Sequence, residues 1–176
     1  RCLVGSEMCI RDSSDILDLS KIEAGTFEFV ESQFEVNQTC LEIVKTLEAK
    51  VQKGVTLLFE QHLSPCYIHS DKNRFTQVIT NFINNAIKFT SHGSITVGYE
   101  IISEDRIKIY VRDTGVGIPQ EKLGNIFDRF VKLNNFAQGT GLGLSICKSI
   151  VSQMGGEIGV ESIEDAGSYF WFTHPL

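Results

Sequence analysis

No apolar run in the 176 residues approaches the roughly 18–20 needed to span a bilayer, so no direct membrane contact is expected of this stretch. Arg1–Asp12 has no apolar h-region of the kind a signal peptide carries. Cations are in deficit: 16 Lys and Arg stand against 22 Asp and Glu, a net charge of −6. That balance argues against nucleic acid as the partner, since such binders usually present a basic face to the phosphates. Cysteine is scarce and odd in number, with five residues and no C-x-x-C pair, and there are only four histidines. Neither a zinc site nor a disulfide framework is indicated, and a reducing cytoplasm fits best.

The chain does hold 42% hydrophobic residues, enough for a real core and too many for a disordered acidic chain. Its length suggests one domain with a short appendage. Fifteen glycines are present, and ten of them fall between Asp113 and Gly167. Residues 1–12 show neither a period of 2 nor one of 3.6 and resemble a cloning read-through segment more than native sequence.

Periodicity then places the elements. Ser14–Ala24 reads as the end of a helix stopped by Gly25. Phe27, Phe29 and Val36 flank a strand-like stretch, and Asn37 is a good N-cap for a helix to about Lys53. Val55–Phe59 and Cys66–His69 read as short strands, and Ser70 or Asp71 opens a helix reaching about Phe89. Ser94–Ile102 and Arg106–Asp113 read as a hairpin, Pro119–Leu123 as a short helix, and Gly141–Met154 as a longer one. Strands over Glu157–Ser162 and Ser168–Thr173 follow. This order predicts an α+β fold: a two-layer α/β sandwich with a mixed, mainly antiparallel sheet packed on helices.

Three constellations carry chemistry. On the helix before Phe89, the helical period of about 100° per residue puts Arg74, Gln77, Asn85 and Lys88 within about 40° of Asn81, opposite an apolar side. Asparagine is a poor helix former, so its use at 81 and 85 points beyond a solvated face. Amide oxygens suit Mg²⁺, and a lysine one turn on can pair with phosphate as a point charge. Next, Asp113 shares a strand face with Ile107, Ile109 and Val111, which makes it an inward carboxylate in need of a donor. Gly115 and Gly117 follow it and clear the backbone for a flat, amine-bearing ring such as adenine. Finally, Gly139-Thr140-Gly141-Leu142-Gly143-Leu144 precedes an amphipathic helix whose start is an anion site. It is neither a P-loop nor a dinucleotide fingerprint. Taken singly, each feature also has a plain structural account: a polar helix face, a capped turn, a flexible loop.

Together and in this order they resemble the sensor histidine kinases. Asn81-Phe-Ile-Asn-Asn85-Ala-Ile-Lys88-Phe-Thr90 is similar to their N box, Asp113-Thr-Gly115-Val-Gly117-Ile118 to the G1 box, and Phe127-Asp-Arg-Phe130 to the F box. Gly139-Thr-Gly141-Leu-Gly143-Leu is similar to the G2 box, and Asp15–Gly25 to the end of the dimerisation helices. The resemblance implies a Bergerat ATP-binding fold over residues 26–176, preceded by the end of a dimerisation helix over 13–25. It implies ATP and Mg²⁺ as ligands, with Asn85 and Asn81 holding the metal and Lys88 on a phosphate. Asp113 would take the adenine amine, with Gly115, Gly117 and Ile118 around the ring. Residues 131–138 would form a lid closed by Thr140, Gly141, Leu142 and Gly143, with Lys132 a γ-phosphate contact. The implied partners are the phosphoacceptor helices and a downstream response-regulator receiver.

The same resemblance marks two departures. The family's acceptor is a His followed by Glu or Asp and then Pro, and none of His62, His69, His92 and His174 stands in that context. In the ATP-hydrolysing relatives the first N-box position is a Glu that activates water, and here it is Asn81. Negligible intrinsic ATP hydrolysis is therefore expected.

Overall fold

A computed structural model describes residues 3–132 and 141–176. Its elements in chain order are α1 (Leu3–Ala24), β1 (Ser32–Glu35), α2 (Val36–Glu48), β2 (Val55–Phe59), β3 (Tyr67–Ser70) and α3 (Lys72–Phe89). After these come β4 (Gly93–Ser103), β5 (Arg106–Asp113), α4 (Gln120–Leu123), α5 (Gly143–Gln153), β6 (Ile158–Ile163) and β7 (Gly167–Pro175).

Five strands form one sheet in the order β2-β4-β5-β7-β6. Only β2 runs parallel to its neighbour; the other pairings are antiparallel. β1 and β3 make a separate antiparallel pair. The mixed, mainly antiparallel sandwich expected from the sequence is the one observed. Its core forms because two periods meet. Ile95, Val97, Ile107, Ile109, Val111, Phe170 and Phe172 alternate onto one sheet face. Phe75, Val78, Ile79, Phe82, Ile83 and Ala86 recur along one side of α3 and cover that face. Phe75 and Phe172 meet edge to face at 5.5 Å, and each fully buried aromatic of this kind contributes about 1.5–3 kcal/mol.

Several local expectations are corrected. α1 ends at Ala24 as expected and runs back to Leu3, into the segment that shows no periodicity. The stretch around Phe27 and Phe29 is not a strand. The two rings pack edge to face at 5.3 Å, and extended pairing begins only at Ser32. The α2 cap is Glu35, whose carboxylate accepts the N–H groups of Asn37 (2.9 Å), Gln38 (2.6 Å) and Cys66 (3.1 Å). Burial pushes the Glu35 carboxyl up, but these donors outweigh it and hold its pKa below the ordinary value. Asn37 is thus released to accept from Tyr99 Oη at 3.1 Å.

Candidate nucleotide-binding site

α3 forms one wall. Asp71 caps it, its Oδ1 accepting the N–H groups of Asn73 (2.9 Å) and Arg74 (3.0 Å). The polar stripe predicted on this helix is divided between two uses. Its first turns serve α1: Gln77 Nε2 donates to Asp18 Oδ2 at 2.9 Å, and Arg74 Nη1 lies 3.4 Å from Asp18 Oδ1. Arg74 also donates to Gln77 Oε1 at 2.9 Å and stacks its guanidinium 4.0 Å from the centre of the Phe27 ring. Asp18 is only 7% exposed, so these partners meet the cost of its desolvation. Arg129, from the predicted F box, pairs with Glu23 of the same helix.

The middle of the stripe, at Asn81, faces the start of α5. Asn81 Oδ1 is buried and accepts no hydrogen bond from the described residues, and the same carboxamide lies against Gly143. An oxygen left in this state asks for a donor or a cation. Among the described residues no three His, Cys, Asp or Glu side chains gather into a metal cluster. A hard divalent ion here would therefore rest on amide and phosphate oxygens, which fits Mg²⁺. Asn85 is half-buried one turn further along. Beyond it, Lys88 is exposed along much of its length, yet desolvation, Arg11 and Lys132 pull its pKa below the ordinary value while Asp12 opposes them. Lys88 and Lys132 thus sit within electrostatic reach of each other, a local cationic pair on an acidic chain.

The second wall is the end of β5. Asp113 is 6% exposed and accepts the Gly115 N–H at 2.9 Å. Burial raises its pKa, against the opposing pull of the Gly115 and Ser168 N–H groups. The Thr90 hydroxyl approaches it but completes no hydrogen bond of normal geometry. The loop after Asp113 is fastened on two sides. The Val116 N–H donates to the Phe89 carbonyl at the end of α3 (3.1 Å), and the Asp165 N–H donates to the Val116 carbonyl (2.7 Å). Gly117, at φ +69°, lies so close to the β6–β7 turn that a Cβ would come within 2.1 Å of the Ile163 carbonyl oxygen. Ile118 is 4% exposed, and its N–H donates to Ser162 Oγ at 2.7 Å.

The third part is the approach to α5. The Phe130 N–H donates to the Gly141 carbonyl at 2.9 Å, which ties residue 130 to residue 141. The Leu142 side chain is 1% exposed and belongs to the core. The Ser145 hydroxyl donates to the Leu142 carbonyl at 2.8 Å and trims the first turn of α5. Thr140, and the lid placed at 131–138 apart from residues 131 and 132, lie outside the described residues.

The fold therefore gathers Asn81 with Gly143 and Asp113 with Gly115 around the C-terminal half of α3, which also carries Asn85 and Lys88. Sequence reasoning missed the roles of Asp18, Arg74, Ser162 and Ser168. The available signal for the serines was a polar inward position on each arm of the last hairpin.

Known proteins resemble this chain in sequence and in fold. The family described as histidine kinase-, DNA gyrase B-, and HSP90-like ATPase matches residues 70–176. Hybrid signal transduction histidine kinase B of Dictyostelium discoideum is 37% identical over 92% of this chain, which covers 9% of that protein. Sensor histidine kinase RcsC of Salmonella typhimurium is 37% identical over 97% of this chain and 19% of its own length. The chain thus spans a small part of these relatives. Among solved structures, full-length ShkA in complex with AMPPNP superposes with a TM-score of 0.82 at 28% identity, over 92% of this chain and 34% of that one. The catalytic domain of histidine kinase ThkA gives a TM-score of 0.73 at 32% identity, covering 83% of this chain and 97% of that one. With the Asn81, Asp113 and Gly143 regions assembled on this fold, the chain belongs to the histidine kinase-, DNA gyrase B- and HSP90-like ATPase family and, within it, to the catalytic domains of histidine kinases.

Proposed function

We propose that residues 26–176 bind Mg²⁺–ATP for transfer of its γ-phosphoryl group to a histidine outside this chain, and that residues 13–25 are the end of a dimerisation helix. The observation that carries the reading is the orphaned Asn81 oxygen, buried against Gly143 on the helix that also presents Asn85 and Lys88. Asn85, assisted by Asn81, holds Mg²⁺; the bound ion would neutralise charge on the phosphates. Lys88 and Lys132 contact phosphate. Asp113 accepts from the adenine amine, with Gly115, Gly117 and Ile118 flanking the ring. Thr140, Gly141, Leu142 and Gly143 close over the phosphate side, where the start of α5 favours anions. Catalysis is positioning and charge neutralisation, with the acceptor brought from elsewhere.

The dimerisation reading is supported by apolar side chains that α1 leaves in water. α1 turns Asp18, Leu19 and Ile22 toward the domain and leaves Ile16 and Leu17 more than half exposed. Such a face suits burial against another helix. The partners we propose are the phosphoacceptor helices of the same or a second subunit and a downstream response-regulator receiver. No helix among the described residues is long and apolar enough to cross a membrane, and we place the domain in the cytoplasm.

Titration of the chain with a non-hydrolysable ATP analogue, with and without Mg²⁺, tests the reading. Metal-dependent binding that is lost in Asn85→Ala supports it. Adding a separate acceptor-helix protein should then yield acid-labile phosphate on that protein, and none on this chain. An analogue that fails to bind at millimolar concentration overturns the reading.

A further inference from the structure

The polar row at the end of the sheet has a member that no ligand role explains. Asp113, Ser168 and Ser162 stand opposite one another across β5, β7 and β6, so their side chains share the inner face. Ser162 is buried, and its hydroxyl has three partners: the Ile118 N–H at 2.7 Å, the Gly167 carbonyl at 2.9 Å and Ser168 Oγ at 2.9 Å. A serine has one proton and two acceptor sites. An N–H can only donate and a carbonyl can only accept. The Ser162 proton therefore goes to Gly167, and Ser168 donates to Ser162. Every capacity of the Ser162 oxygen is used, and the direction of each bond is fixed. The Ser162 carbonyl also accepts from Gln120 Nε2 at 2.9 Å, just beyond the loop.

We propose that Ser162 is a positioning residue for the adenine side of the site, holding the Gly115–Ile118 loop at a fixed distance from Asp113 through the Ile118 N–H. This rests on the nucleotide reading given above. Ser162 touches no ligand itself. It joins the loop, through Ile118, to the turn residue Gly167 and to Ser168, the residue directly opposite Asp113 on the neighbouring strand. Losing the hydroxyl leaves the buried Ile118 N–H without its acceptor and frees the Ile118 end of the loop, which the bonds at Val116 do not hold, while the phosphate side, built on α3 and α5, stays in place.

The test is calorimetric titration of the 176-residue chain and its variants with Mg²⁺–ATP, adenosine and inorganic tripolyphosphate. In Ser162→Ala, ATP and adenosine should each weaken about tenfold, the usual scale for an orphaned buried donor, with tripolyphosphate unchanged. Ser162→Thr, which keeps the hydroxyl, should restore adenosine binding. Unchanged adenosine affinity in Ser162→Ala overturns the proposal, as does an equal loss for tripolyphosphate. If Ser162→Ala does not fold, amide exchange in the unaltered chain decides. A protected Ile118 N–H supports the proposal, and one exchanging like an unstructured peptide overturns it. Failure of the unaltered chain to bind ATP brings down the nucleotide reading as well. Normal binding by both proteins removes the role of Ser162 alone.

Discussion

A Cβ placed on Gly143 would come within 2.5 Å of the Asn81 carboxamide nitrogen. The contact is with the far end of a side chain, so the clash is relieved by moving Asn81 and not the backbone. Alanine near a helix start is also favoured over glycine by up to about 1 kcal/mol. Gly143→Ala should therefore leave the melting temperature unchanged or slightly raised while Mg²⁺–ATP affinity falls about tenfold. Parallel thermal unfolding and titration separate the two effects. A proportionate loss of stability would instead make Gly143 a packing residue.

Asp113 joins function to a stability cost. Its carboxyl is raised by burial, so its ionisation destabilises the fold as pH climbs from the ordinary carboxylate range through its own higher value. At neutral pH the charge is a standing cost. Asp113→Asn keeps an oxygen for the Gly115 N–H, so its melting temperature at pH 7 should equal or exceed that of the unaltered chain, with ATP affinity reduced at least tenfold. In the unaltered chain, ATP affinity should decline on acidification at a higher pH than an ordinary aspartate would give. Affinity flat down to pH 4 contradicts this.

The Asp18–Arg74–Gln77 cluster fastens α1 to α3. Arg74→Ala leaves a buried carboxylate with Gln77 alone and strips the cation from the Phe27 ring. The expected cost is about 3 kcal/mol, the low end for a buried pair because Arg74 is partly exposed, read by urea unfolding, with faster amide exchange confined to α1. A change below about 0.5 kcal/mol would mean that the pair behaves as an exposed one.

Hydrolysis gives a fourth check. The family resemblance implies that Asn81 stands where the hydrolysing relatives carry a general base, and a carboxamide cannot take a proton from water. Phosphate release by the chain alone should stay at the background rate of ATP in buffer. Turnover that disappears in Asn85→Ala would show that another base is present.

The relation between sequence and structure differs from part to part. The strands from β4 onward and α3 were legible because their periods of 2 and 3.6 run uninterrupted and their ends carry strong signals, such as Asp71 at the start of α3. Asn81, Asn85, Lys88 and Asp113 were legible for the same reason, since periodicity shows which residues share a face. The start of α1 was not, because that segment lacks the amphipathic pattern the reading depends on. Glu35 was missed as a cap because glutamate is not a favoured capping residue and Asn37, which is, stands two positions on, although the capping donors Asn37 and Gln38 are local.

The sequence by itself determined the element types, the mixed sheet and which amide, carboxylate and ammonium groups share a face, the groups we propose for the nucleotide, because local periodicity and spacing encode these. Only the tertiary structure decided how the α3 stripe is shared. Arg74 and Gln77 go to Asp18, and Asn81 is left with an unmet oxygen against Gly143. It also decided that Ser162, 44 residues beyond Ile118, holds the loop beside Asp113. Pairings of that kind depend on which buried donors and acceptors the sheet register brings within hydrogen-bond distance, and no window of local sequence contains both partners.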